Sequence, residues 1–135
     1  MGYIYELAET FTPRTFRRAV PGPVRGQHAV ATHRGDLVLQ WHAPAGSAAD
    51  FYRVERTPEG RDYETVLTTA TGWCCIKNPP WREPWFYRVI AVNARGAGRA
   101  NLVWFFQRMG NNRSRLLPLA VVPGLRVQIC ELSAQ

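Results

Sequence analysis

Arg34-Gly35-Asp36 spells an integrin-recognition tripeptide, and Asn112-Arg113-Ser114 spells a glycosylation sequon. Both have plainer readings. Gly-Asp is ordinary turn chemistry between two strands, and a sequon matters only on a eukaryotic secretory route. His28, His33 and His42 fall on or near strands without acids at a suggestive spacing, so they read as surface or edge residues rather than general bases. Cys74, Cys75 and Cys130 are an odd set with no framework spacing. Neighbours on a strand point to opposite faces, so a Cys74–Cys75 bond would be strained. A bond from either one to Cys130 requires the C-terminal segment to return to that strand, and reduced thiols are the default. The chain contains no Gly-x-Ser-x-Gly, no His-Glu-x-x-His and no phosphate-binding glycine loop. The expectation is therefore a non-enzymatic protein with no catalytic residues, no cofactor and no metal site.

Basic residues are the remaining candidates for chemistry. The 135 residues carry a net charge of +7, with sixteen Arg and one Lys. Residues 1–26 hold +2, residues 27–107 hold +2 and residues 108–135 hold +3, so the excess lies mainly on the flanks. Arg17-Arg18 and Arg113-x-Arg115 would suit phosphate, and Phe11 and Phe16 lie near the first pair. No recognition helix or other reading element accompanies them, so nucleic acid is not the expected partner.

These residues must be positioned by strands. Leu37-Val38-Leu39-Gln40-Trp41 alternates, with Leu37, Leu39 and Trp41 on one face. Further strands are expected at Gln27–His33, Phe51–Arg56, Tyr63–Thr68, Trp73–Ile76, Trp85–Asn93 and Leu102–Gln107. The breaks between them are Arg34-Gly35-Asp36, Pro44 to Ser47, Pro58-Glu59-Gly60, Asn78-Pro79-Pro80 and Gly96-Ala97-Gly98. No helical period competes. Residues 1–26 read as an N-terminal arm, broken by Pro13, Pro21, Gly22, Pro23 and Gly26, with one helical turn expected at Glu6–Phe11. Residues 108–135 read as a C-terminal arm. Its apolar run Leu116–Val122 is interrupted by Pro118, and Leu125–Cys130 alternates as an extra strand.

Three of these patterns together resemble the fibronectin type III family. Leu37-x-Leu39-x-Trp41-x-x-Pro44 is similar to its second strand, Tyr52-Arg53-Val54-Glu55-Arg56 to its third, and Trp85–Asn93 followed by Gly96 and Gly98 to its sixth strand and the loop after it. The resemblance covers residues 27–107. It implies an all-β, immunoglobulin-like sandwich of about seven strands, used for adhesion, spacing or docking. Where the family places its corner tyrosine this chain has Trp85, whose indole donates but cannot accept.

On that resemblance Trp85, Tyr87, Val89 and Ala91 face inward, leaving Phe86, Arg88, Ile90 and Val92 outside. Three of those four are apolar, where a solvated face should be polar. Cover for this strip comes either from the chain's own Leu116, Leu117, Leu119, Val121 and Val122, or from a partner. The expected partner-binding residues are Phe86, Ile90 and Val92, with Tyr3, Tyr5, Arg17, Arg18 and the same C-terminal apolar residues from the arms. The expected partners are protein subunits of a larger assembly. Arms flanking a lone sandwich, without a signal peptide or membrane span, resemble accessory virion proteins of tailed phages, assembled in the host cytoplasm. The alternatives are a host-surface or carbohydrate-binding adhesin using Trp73 and Trp81, and a basic packaging accessory that binds nucleic acid.

Overall fold

A computed structural model describes residues 19–80, 83–109 and 113–121. Nine strands follow one another in the described chain: β1 (Arg25–Ala31), β2 (Leu37–His42), β3 (Phe51–Thr57), β4 (Glu64–Thr69), β5 (Trp73–Ile76), β6 (Trp85–Asn93), β7 (Gly96–Ala97), β8 (Leu102–Met109) and β9 (Arg113–Ala120). They form two sheets. The smaller has the order β1-β2-β5, and the larger has the order β4-β3-β6-β8-β9 with β7 paired to β6. All pairings are antiparallel.

The alternation in the sequence becomes the sandwich interior. Leu37, Leu39 and Trp41 of β2 are buried, while Val38 between them is half-buried and Gln40 and the following His42 are exposed. They meet Tyr52 and Val54 of β3, Tyr87, Val89 and Ala91 of β6, and Trp104 and Phe106 of β8 in one apolar core. Trp41 packs edge-on to Tyr52 with ring centroids 5.5 Å apart, and Tyr87 meets Phe106 in the same way at 6.2 Å. Side chains of this size contribute roughly 1.5–3 kcal/mol each when fully buried.

Turn chemistry closes the strands as expected. The Arg34-Gly35-Asp36 tripeptide is the β1–β2 turn: Gly35 has φ of 91°, its N–H donates to the Thr32 carbonyl at 2.8 Å, and the Asp36 carboxylate accepts from the Asn78 N–H at 3.0 Å. A side chain at position 35 would also run into the Arg108 guanidinium. With Asp36 tied to Asn78 and Gly35 buried beneath Arg108, the tripeptide serves the fold.

The segment before β1 is held by the sandwich. The buried Asn93 amide at the end of β6 donates to the carbonyls of Ala19 at 2.9 Å and Ala48 at 3.1 Å, and its oxygen accepts from the Arg95 N–H at 2.8 Å. Gly98 lets the Pro21 carbonyl approach where any Cβ would collide.

Strand β9 was not expected at this position. It lies in the stretch read as the C-terminal arm and pairs with β8 from Met109↔Arg113 to Leu102↔Ala120. Pro118 argued against a strand because it lacks a donor. At the outer edge of the sheet that missing donor is tolerated, and it also blunts an exposed edge against further pairing. The helical turn expected at Glu6–Phe11 and the strand expected at Leu125–Cys130 lie outside the described residues.

Candidate binding face

The two sheets treat their outer faces differently. On the larger sheet, Phe86, Val103 and Phe105 form a second apolar cluster, joined by Tyr63 and by Leu117, Leu119 and Val121. Phe86 and Phe105 lie edge to face, centroids 5.7 Å apart. The cross-strand register places Phe105 opposite both Phe86 and Leu117, and Val103 opposite Leu119. Strand β9 thus extends the apolar outer face that its neighbours would otherwise leave incomplete.

This corrects the expected docking strip. Phe86 and Ile90 are 1% and 2% exposed, and Val92 is buried at 9%. They are neither bare nor turned into the sandwich interior. Phe86 is covered by side chains of its own chain, so it is not available to a partner. Leu117, Leu119 and Val121 serve this intramolecular cluster, and Leu116 packs against the interior core. Tyr3, Tyr5, Arg17, Arg18 and Val122 lie outside the described residues.

Beside that cluster the face becomes polar in a controlled way. The Glu55 carboxylate, buried, accepts from Arg53 Nε at 2.9 Å and Arg88 Nε at 2.8 Å. Arg88 also sits 3.6 Å over the Tyr63 ring. Across the sheet edge, Arg56 bonds Glu64 at 3.0 Å and lies 4.7 Å over the Trp85 ring. The Trp85 indole N–H is buried with no hydrogen-bond partner among the described residues, so the corner position is filled by packing and a cation–π contact.

The smaller sheet has a different outer face. The register aligns His28, Gln40 and Trp73 in one row across β1, β2 and β5, and Val30, Val38 and Cys75 in the next. Trp73 is 54% exposed and Val30 is 45% exposed. The two rows hold no Asp, Glu, Lys or Arg on a chain of net charge +7, and the exposed Arg25, paired with His42, borders them. At its upper end a shallow cleft of about 420 Å³ is lined by Gly26, His28, Gln40, Trp41, His42, Gly72 and Trp73. Of the two tryptophans expected on an adhesive surface, Trp73 lies here and Trp81 falls outside the described residues.

The two neighbouring cysteines separate as strand geometry requires. Cys74 faces the core, where burial pushes its thiol up to about 11, and Cys75 is half-buried on the outer face. Both are free thiols. Among the described residues no group of three His, Cys, Asp or Glu side chains is placed to share a metal ion.

Comparison with known proteins agrees with this architecture. No protein-family model and no curated protein matches the sequence. Among solved structures, a human fibronectin type III domain determined in solution aligns with 94% of this chain and 98% of its own, at 14% identity and a TM-score of 0.57. A Fn3-like protein from Clostridium thermocellum aligns with 67% of this chain and 96% of its own, at 21% identity and a TM-score of 0.55. The titin kinase with its flanking domains matches 59% of this chain at 26% identity, with a TM-score of 0.52. The chain spans only 15% of that titin structure. The fold is that of a fibronectin type III domain, with β9 added beside the last strand of the larger sheet. No helix among the described residues is long and apolar enough to cross a membrane.

Proposed function

We propose that this chain is a non-enzymatic binding module built into a larger protein assembly, with its arms attaching it and the outer face of β1-β2-β5 presented to a partner. One observation carries the reading. The larger sheet buries Phe86, Val103 and Phe105 in a cluster with the chain's own Tyr63, Leu117, Leu119 and Val121 and leaves only Phe51 and Met109 partly open at its ends, whereas the smaller sheet leaves Trp73, the most exposed large apolar side chain among the described residues, in the open with Val30. Exposed apolar patches of this kind, framed by polar residues, mark interaction sites.

The assembly that best fits an arm–sandwich–arm layout is a tailed-phage virion, at the tail, neck or capsid surface. Its support is the arrangement of the sequence: apolar and aromatic residues such as Tyr3, Tyr5 and Phe11 in a proline-broken arm, and Arg17 and Arg18 close behind them. In this reading residues 1–18 and 122–135 grip neighbouring subunits and the sandwich displays its free face.

Two sets of variants test the reading. Removing residues 1–18, or 122–135, is expected to leave the unfolding midpoint of the sandwich unchanged and to abolish incorporation into the assembly, measured by co-sedimentation. Trp73→Arg is expected to permit incorporation and to abolish partner binding. Full incorporation of both truncated chains would overturn the role of the arms, and undiminished partner binding by Trp73→Arg would overturn the role of the face.

A further inference from the structure

We propose that the cleft beside Trp73 binds a neutral pyranose saccharide. This rests on the reading of the β1-β2-β5 outer face as the binding surface, and it names the ligand class. None of the cleft's lining residues is Asp, Glu, Lys or Arg, although the chain as a whole is strongly basic. A ligand selected here is therefore chosen by shape, aromatic contact and hydrogen bonding, while anionic polymers are drawn to the arginines elsewhere.

The groups present are those a sugar ring needs. Trp73 offers an exposed indole, whose large apolar face can pack against the C–H face of a chair-form sugar ring. Gln40, directly across the ladder from Trp73, supplies both donor and acceptor, matching hydroxyls that do the same. His28 lies on the other side of Gln40, and His42 completes the upper edge. Gly26 and Gly72 allow close approach at the cleft wall, where a Cβ at position 72 would stand 2.6 Å from the Trp41 carbonyl oxygen. A Cβ at position 26 would stand 2.5 Å from the His42 ring and displace it. A volume of about 420 Å³ falls within the range of small-molecule sites.

An extended peptide is a poorer fit. β2, which underlies the cleft, is the central strand and is paired on both sides with β1 and β5, so a peptide could add only at the outer edge of β5, beside the cleft and not over it. Recognition over β2 has to come from side chains, and those side chains are an indole, an amide and two imidazoles.

The test is a titration of the full chain with methyl pyranosides of glucose, galactose, mannose and N-acetylglucosamine. Tryptophan fluorescence and saturation-transfer NMR report binding, and heparin serves as the anionic control. The expected result is saturable binding of at least one neutral pyranoside, insensitive to salt. Trp73→Ala should weaken it by at least about tenfold, Gln40→Ala by about fivefold, and Trp73→Phe should retain most of it. Trp73 is exposed, so these variants should keep the wild-type circular dichroism and unfolding midpoint. The proposal is overturned if no pyranoside saturates below about 10 mM, if Trp73→Ala binds as wild type, or if only heparin binds. If sugars fail while Trp73→Arg still abolishes partner binding, the ligand class is wrong and the face stands. If both fail, the face is wrong as well.

Discussion

Glu55 shows how a polar residue survives on the covered side of the larger sheet. Its carboxylate is held by Arg53 and Arg88 at 2.9 and 2.8 Å, and both arginines keep about a third of their side-chain surface in water. Removing the acid leaves two facing cations, so Glu55→Ala should cost about 1–3 kcal/mol in urea unfolding. Removing Arg53 alone should cost less than about 1 kcal/mol. Cys74, Tyr63 and Tyr87 set a second residue-scale expectation. Burial raises all three above their ordinary values, Cys74 to about 11. Between about pH 9 and 11 the unfolded chain would release protons that the folded chain still holds. The unfolded state then binds fewer protons, and stability must fall as pH rises. Thermal unfolding across pH 7–11 should show a plateau followed by an alkaline decline. Cys74→Ala should lower the plateau and make the decline shallower. An alkaline limb unchanged in that variant would contradict the assignment of Cys74. Little of this was legible in the sequence. The opposed faces of Cys74 and Cys75 follow from strand geometry, but the two arginines around Glu55 come together only through the β3–β6 register.

At the scale of elements, the strands anchored by strong alternation were readable. β5 and β6 fall where their sequence placed them, and β2 and β3 differ only at their ends, because Leu37-x-Leu39-x-Trp41 and the aromatic run from Trp85 leave no other period. β9 was hidden by Pro118, whose cost depends on whether the strand is central or at an edge, and no local pattern says which. The apolar character of Phe86 on an outward position was legible, but its cover was not. A strip that needs covering looks the same in sequence whether the cover is a partner or the chain's own next strand. The structure places Phe86 in one cluster with Val103 and Phe105 of β8, joined by Leu117 and Leu119 of β9, and the energetic expectation follows. Phe86→Ala should destabilise the sandwich by about 3–5 kcal/mol, read by denaturant unfolding. Leu117→Asp should expose Phe86, Val103 and Phe105 and raise binding of a hydrophobic dye. A near-neutral Phe86→Ala would mean that this cluster does not contribute to stability.

For the whole molecule, the contrast between its two outer faces organises the functional reading. The larger sheet is finished by the chain itself, with β9 at its edge and a paired glutamate beside the apolar cluster. The smaller sheet offers two rows without Asp, Glu, Lys or Arg, with an exposed tryptophan, bordered by Arg25. Sequence patterning could not show this second surface as a unit, because His28, Gln40 and Trp73 come from three separate strands and meet only in register. The proposed division of labour, with the arms attaching the chain and the small sheet facing a partner, rests on that contrast.

Hydroxyl-radical footprinting, read by mass spectrometry on the isolated chain and on the chain in its partner complex, tests this division most directly. Trp73 and Val30 should label readily in the isolated chain and be protected in the complex, while Phe86 and Leu117 stay protected in both. Equal labelling of Trp73 in the two states, with Phe86 reactive in the isolated chain and protected only in the complex, would place the partner on the opposite sheet and contradict the account.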